Sequence, residues 1–132
     1  MRLIALDTET ELIARGRQVP PLVCLSWAEL HLLGPLAGTI KASGLLHHSE
    51  ALPYLLSLLD DSDVHLTGAN LPFDILATSC IQPYPTPEGP TYHEYILAKW
   101  VKACIAERIT DVLGRQKLLD LAAGVYRRQQ LS

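Results

Sequence analysis

The stretch LIALDTET, residues 3–10, joins a short apolar run to two acidic side chains. A short apolar run of this kind is typical of a central strand, and we predict a strand over residues 2–6. Alternate residues of a strand face the same side, so we expect Asp7 and Glu9 on one face and Thr8 turned away. Two neighbouring carboxylates repel each other unless a cation lies between them, and oxygen ligands suit Mg²⁺ or Mn²⁺. Two solvated residues at a strand end give the same pattern.

The composition suits one compact domain. The chain has 132 residues, of which 48% are hydrophobic, and its formal net charge is −3. This negative charge argues against a broad basic surface that binds nucleic acid through its phosphates alone. It is compatible with a small acidic site that binds phosphate through metal ions. The 3 cysteines are widely spaced, so we expect free thiols rather than a disulfide framework or a zinc site. No apolar run reaches the length of a membrane span, and we expect a soluble, intracellular chain.

The remaining pattern predicts an α/β fold with a mixed sheet, in which the early strands are antiparallel and a later strand is parallel. Further strands are predicted at residues 22–28, 30–33 and 64–68, with a turn-rich spacer at 38–44. Helices are predicted at residues 50–61, 72–80, 92–107 and 112–123, and a proline-rich loop at 81–90. Ser49 is the expected N-cap of the first helix. The third helix should present its apolar side through Tyr95, Trp100, Val101, Cys104 and Ile105.

A second polar group lies in GANLPFD, residues 68–74, where a predicted strand gives way to a helix. Asn70 is a candidate helix cap, Phe73 is expected to pack inward, and Asp74 lies on another side of the helix. If this strand lies beside the first one, Asp74 reaches the site of Asp7 and Glu9. The alternative is a surface acid in the first helical turn, where the helix dipole favours a negative charge.

Taken together, these stretches resemble the motifs of the DEDD 3′–5′ exonuclease superfamily. ALDTET, residues 5–10, is similar to the first motif, DxE, and GANLPFD is similar to the second, NxxFD. A third stretch, AERITDVLGRQKLLDLAAG at residues 106–124, is similar to the segment after the second motif in phage-type family A DNA polymerases. The resemblance covers nearly the whole chain, and the three stretches occur in the family's order.

The resemblance implies a single RNase H-like exonuclease domain over residues 1–132 that binds two divalent ions, Mg²⁺ or Mn²⁺. Carried over by position, Asp7 would bridge the two ions and Asp74 would complete the second ion site. Glu9 would bind one ion and help to orient the attacking water. The general logic is two-metal hydrolysis of a phosphodiester.

Four further residues match the family's substrate-binding positions. Thr8 and Thr10 match positions whose backbone touches the 3′ end of the substrate, and Asn70 and Phe73 match a supporting shell. The implied activity is proofreading of a single-stranded DNA 3′ end, with a polymerase domain in the same or another chain as partner and no membrane. The implied location is the cytoplasm of a bacterium or of a phage-infected host cell.

The chain departs from the family because no third motif, YxxxD or HxxxxD, follows residue 111. Tyr126, for example, is followed four places on by Gln130. Asp111 either substitutes for the fourth carboxylate or caps the last helix. The chain is then either the front piece of a longer polymerase, truncated at its C-terminus, or a shortened relative. The fourth carboxylate is missing in either case, so the chain binds two ions or only one.

Two other functions therefore stay open. One is a catalytically impaired exonuclease-like module that acts as a nucleic-acid-binding or structural scaffold. The other is an RNase H-like endonuclease with another substrate, such as RNA, because the sequence alone does not choose between the two sugars.

Overall fold

A computed structural model of the protein describes residues 1–11, 22–79 and 94–124. Within these ranges the strands are β1 (Arg2–Thr10), β2 (Leu22–Leu30), β3 (Ile40–His47), β4 (Val64–Gly68) and β5 (Ile109–Asp111). The helices are α1 (His48–Asp60), α2 (Leu71–Ser79), α3 (Glu94–Ile105) and α4 (Val112–Ala122). No helix in the described ranges is both long enough and apolar enough to cross a membrane.

The strands form one 5-stranded sheet in the order β3-β2-β1-β4-β5. β2 pairs with β1 and with β3 in antiparallel fashion, whereas β4 pairs in parallel with β1 and β5. The prediction of a mixed sheet with flanking helices is therefore confirmed. Because β1, β4 and β5 run in the same direction, their carboxyl ends meet at one edge of the sheet.

One face of the sheet carries the hydrophobic core. Its largest buried side chains come from the sheet and from helices α1 and α3: Ile4, Leu25, Leu55, Leu66, Ile96 and Trp100. Full burial of one such aliphatic side chain contributes about 1.5–3 kcal/mol. Along β1 the alternation is regular, since Ile4, Leu6 and Thr8 are buried while Asp7 and Glu9 are exposed. The prediction that the two acids share one face, with Thr8 on the other, is confirmed.

The predicted third strand at residues 30–33 is wrong. The chain turns there, and the strand lies instead at Ile40–His47, largely within the predicted spacer. Gly34 and Gly38 adopt φ values of 79° and 83°, which glycine tolerates without a steric penalty. The His31 N–H donates to the Thr39 carbonyl at 2.9 Å and closes the hairpin. Six of the eight residues of β3 are exposed, so no apolar alternation marks the strand.

Two helix predictions also need correction. Ser49 is not an N-cap, because β3 runs directly into α1 and His47 occupies the cap position without a side-chain hydrogen bond. In α3 the core side is formed by Ile96, Trp100 and Ala103. The predicted face fails at Tyr95, Val101, Cys104 and Ile105, which are exposed. Cys24 and Cys104 carry free thiols. The predictions for residues 81–90 and for Tyr126 lie outside the described residues.

Candidate functional site

The acidic residues singled out in the sequence gather at the edge where the parallel strands end. β1 carries Asp7 and Glu9 near its carboxyl end, and Asp111 is the last residue of β5. Helix α2 begins soon after β4 and carries Asp74 in its first turn. In open α/β sheets this edge is the usual place for a ligand, because loops and helix N-termini converge on it.

The turn between β4 and α2 depends on two residues of the GANLPFD stretch. A Cβ on Gly68 would lie 2.8 Å from the carbonyl oxygen of Leu6 and 2.8 Å from Leu71 Cδ2, so glycine permits the close approach of β4 and β1. Asn70 has a φ of 59°, in the left-handed region that asparagine tolerates better than most residues. Its backbone carbonyl accepts the Phe73 N–H at 3.1 Å.

The expected roles of Asn70 and Phe73 have different outcomes. Phe73 packs against the hydrophobic core, as predicted. The hydrogen bonds that Asn70 makes with the described residues come from its main chain, and its carbonyl accepts an N–H from the first turn of α2. The Asn70 backbone N–H donates to Asp111 Oδ1 at 2.9 Å. Asn70 therefore shapes the turn through its main chain and leaves its amide group exposed.

Asp74 is held directly against β1. Its side chain is only 3% exposed, and its Oδ1 accepts two hydrogen bonds from Thr8. One comes from the Thr8 backbone N–H at 3.2 Å, and the other comes from the Thr8 hydroxyl. Because the Thr8 nitrogen is bonded to the carbonyl carbon of Asp7, this contact places the Asp74 carboxylate beside the peptide unit that joins Asp7 to Thr8. The interpretation of Asp74 as a surface acid does not fit this burial.

The Asp74 carboxylate is electrostatically uncompensated within the described ranges. Burial raises its pKa above the ordinary value, the two hydrogen bonds from Thr8 lower it in part, and the charges of Asp7 and Asp111 raise it further. No lysine, arginine or histidine among the described residues forms an ion pair with it. Buried carboxylates are normally paired with a cation or bind a metal ion, because an isolated buried charge is costly.

Asp7 and Glu9 lie on the opposite face of β1 from Thr8 and are exposed to solvent. Their cross-strand neighbours on β2 are Ser26 and Cys24, neither of which neutralises them. The register between β1 and β2 shifts between Glu9 and Thr10, which is a local irregularity of the kind that re-aims side chains near functional sites. Thr10 follows this shift and is half-buried.

Asp111 has the capping role that was one of its two predicted alternatives. Its Oδ1 accepts the Leu113 N–H at 3.2 Å and so caps α4. The same oxygen accepts the Asn70 N–H, a contact that sequence reasoning missed because the two residues are 41 positions apart. Asp111 thereby ties the start of α4 to the turn before α2, and its charge acts on Asp74.

The carboxylates do not form a closed ligand set. Among residues 1–11, 22–79 and 94–124, no three His, Cys, Asp or Glu side chains are arranged to hold one metal ion. Asp74 is brought to the backbone between Asp7 and Thr8, whereas the Asp7 and Glu9 side chains extend into solvent. The arrangement thus consists of one buried acid, Asp74, which is held by Thr8, and two exposed acids, Asp7 and Glu9, at alternate positions of β1.

No family model matches the chain, and no curated protein or solved structure matches it.

Proposed function

We propose that the chain is an RNase H-like, metal-dependent 3′–5′ exonuclease domain that hydrolyses terminal phosphodiesters of single-stranded DNA. The observation that carries the proposal is the buried Asp74 carboxylate, which lies without a cationic partner among the described residues and is fastened to the strand of Asp7 and Glu9. A divalent cation satisfies such a group, because it supplies the positive charge that the surrounding described residues lack.

The sheet supports the RNase H-like part of the proposal. The resemblance implies early antiparallel strands followed by a parallel strand, and the order β3-β2-β1-β4-β5 has this arrangement. It also puts β4 directly beside β1, which was the condition for Asp74 to reach the DxE pair.

The donor set fits Mg²⁺ or Mn²⁺, since these ions prefer carboxylate oxygens. Asp7, Glu9 and Asp74 are the residues that would hold the ion or ions. Asp74 is fixed by Thr8, whereas the exposed side chains of Asp7 and Glu9 lie on the face of β1 opposite the Thr8 side chain. The bound cation would supply charge neutralisation at the scissile phosphate and an acidified water molecule.

In the proposed hydrolysis, a water oxygen forms a new bond to phosphorus while the bond from phosphorus to the 3′ oxygen breaks. The departing 3′ oxygen gains a proton, and the water loses one. Glu9 is the acid that we assign to orienting the attacking water, because it is exposed next to Asp7. Thr10 and Asn70 flank the same edge and are proposed to contact the DNA end, with Phe73 supporting α2 from the core.

The test is cleavage of 5′-labelled single-stranded DNA in Mn²⁺, with wild type compared with Asp7→Ala. We expect one-nucleotide shortening by the wild type and none by the variant. Glu50→Ala is the matched control, because Glu50 is an exposed acid in the first turn of α1 and lies outside the proposed site. Equal shortening by Asp7→Ala and wild type would refute the site. Cleavage of RNA but not of DNA would show that the substrate is RNA.

A second function is favoured by one specific observation, the absence of a three-acid ligand group within the described residues. In this alternative the chain is an exonuclease-like scaffold that binds single-stranded DNA without cutting it. It predicts retention of labelled DNA with no shortening, and no rise in melting temperature when millimolar Mn²⁺ is added. A bound ion would raise that temperature by mass action.

A further inference from the structure

The two hydrogen bonds from Thr8 to Asp74 end on the same oxygen. Both the backbone N–H and the hydroxyl of Thr8 donate to Oδ1, and Oδ2 accepts no hydrogen bond from the described residues. Thr8 is 8% exposed and Asp74 is 3% exposed, so bulk water has little access to this contact. The two oxygens of one carboxylate are therefore in different environments.

Two donors on one oxygen fix the rotation of the carboxylate. Thr8 lies within β1, and its β-branched side chain has few χ1 states, so the strand determines where the hydroxyl lies. A carboxylate offers about four lone-pair directions. Because Oδ1 already accepts two hydrogen bonds from Thr8, the lone pairs that are still available to a further partner lie mainly on Oδ2.

We propose that Thr8 is a positioning residue, which holds Oδ1 of Asp74 so that Oδ2 is the oxygen offered to a divalent cation. This inference rests on the proposed function, in which Asp74 is a metal ligand. Partners that hydrogen-bond to a metal ligand typically orient it, and their loss costs about 10–100-fold in metal affinity.

In this proposal Thr8 positions a metal ligand instead of contacting the substrate. The resemblance gives Thr8 a backbone contact with the substrate, yet its N–H is already donated to Asp74, and its side chain lies on the face opposite Asp7 and Glu9. Thr8 therefore affects the proposed metal site indirectly, by fixing the carboxylate of Asp74.

The first experiment measures Mn²⁺ binding to the full chain by electron paramagnetic resonance of the free ion. Thr8→Val replaces the hydroxyl with a methyl group of similar size, and Thr8→Ser keeps the hydroxyl. We expect Thr8→Val to raise the dissociation constant by about 10-fold or more and Thr8→Ser to restore most of the affinity.

Ser79→Ala is the matched control for a simple loss of stability. Ser79 is fully buried on α2, the helix that carries Asp74. Its hydroxyl donates to the Ile75 carbonyl at 2.6 Å rather than to a carboxylate. We expect this variant to melt at a lower temperature and to keep the Mn²⁺ affinity of wild type. If Ser79→Ala and Thr8→Val weaken binding equally, the positioning role is overturned.

The second measurement uses the wild-type chain and so does not depend on a variant that folds. Hydrogen exchange of the Thr8 amide is followed by NMR with and without saturating Mg²⁺. We expect the amide to stay protected, because Oδ1 keeps its bonds to Thr8 when the ion is bound. Faster exchange with Mg²⁺ would show that the ion displaces Thr8, which overturns the inference.

The two proposals fail differently. Wild-type binding of Mn²⁺ that Thr8→Val leaves unchanged removes the positioning role and leaves the metal site intact. If the wild type binds no Mn²⁺ at millimolar concentration, the metal-dependent function falls, and the role of Thr8 falls with it.

Discussion

The indole N–H of Trp100 donates to the hydroxyl of Thr78 at 3.0 Å, and both side chains are 1% exposed. Trp100 belongs to α3 and Thr78 to α2, so the bond joins the two helices within the core. The same hydroxyl lies 2.8 Å from the Asp74 carbonyl and donates to it. The helix that carries the candidate ligand is therefore anchored on both sides, by Thr8 on β1 and by Trp100 on α3.

We predict that Thr78→Val lowers the free energy of unfolding by about 1–3 kcal/mol, because the buried indole N–H of Trp100 loses its acceptor. Thr78→Ser retains the hydroxyl and should lose less. Urea denaturation of both variants measures the difference. A double-mutant cycle with Trp100→Phe should show a coupling of about 1 kcal/mol. Additive effects of the two changes would contradict this bond.

The sequence predicted those features of the site that depend on local periodicity. Asp7 and Glu9 share a face because strand alternation is a property of neighbouring residues. The contact of Thr8 with Asp74 spans 66 positions, and no local pattern carries such information. The sequence predicted only that Asp74 would reach Asp7 and Glu9 if β4 lay beside β1, a condition that hydrophobic patterning alone leaves undecided. The resemblance of GANLPFD to the NxxFD motif implied that Asp74 joins Asp7 and Glu9, and it implied nothing about a contact with Thr8.

The strands β3 and β5 were not predicted because neither carries a clear local pattern of apolar residues. β5 comprises only the three residues Ile109–Asp111, which is too short for any alternation to be read. β3 lies at the edge of the sheet, where one neighbour is missing and polar residues are tolerated. In α3, the buried positions Ile96 and Ala103 gave a weaker sequence signal than the large exposed residues around them.

Arg108 provides a prediction that concerns stability alone. Its guanidinium donates to four backbone carbonyls, including Leu58 at 2.9 Å and Leu59 at 3.0 Å near the end of α1 and Val64 at 2.9 Å on β4. Replacement by methionine keeps the aliphatic bulk and removes every donor. We predict that Arg108→Met costs about 2–4 kcal/mol, since four partly buried hydrogen bonds are lost together.

The control for Arg108→Met is Arg115→Met, on the exposed surface of α4. A surface substitution of this kind is expected to change the free energy of unfolding by no more than about 0.5 kcal/mol. Both variants are compared with wild type by urea denaturation at neutral pH. Equal losses would show that the carbonyl contacts of Arg108 add nothing beyond general charge effects.

Asp74 should oppose folding at neutral pH when no metal is present. Its pKa is raised by burial, so the stability linked to its protonation is fully present below the ordinary value of 3.8 and is lost as pH rises through the folded-state pKa. Asp74→Asn keeps an oxygen that can accept from Thr8 and removes the charge. We predict that, in EDTA, this variant is more stable than wild type near pH 7.

The advantage of Asp74→Asn should shrink as pH falls, because the wild-type carboxyl also becomes neutral. Urea denaturation over a pH series in EDTA measures this convergence. With Mn²⁺ present, the order should reverse, since only the wild type gains stability from a bound ion. A variant that is less stable than wild type in EDTA at every pH would contradict the electrostatic cost of Asp74.

Glu29 has the opposite dependence on pH. It is 8% exposed, and hydrogen bonds from the Arg2 guanidinium, at 2.8 Å and 3.3 Å, hold its pKa below the ordinary value of 4.5. Its contribution to stability is therefore present above that value and is lost as pH falls through the folded-state pKa. We predict that Glu29→Gln costs about 1–3 kcal/mol at pH 7.

The same variant should flatten the acid side of the stability profile, because a glutamine has no proton to bind as the pH falls below 4.5. Asp60→Asn is the control, since Asp60 forms an ion pair with Lys99 but its side chain is 56% exposed. Exposed pairs contribute about 0–1 kcal/mol, so its profile should follow that of wild type. If Glu29→Gln and Asp60→Asn gave the same profile, the burial of Glu29 beside Arg2 would not be what makes folding sensitive to acid.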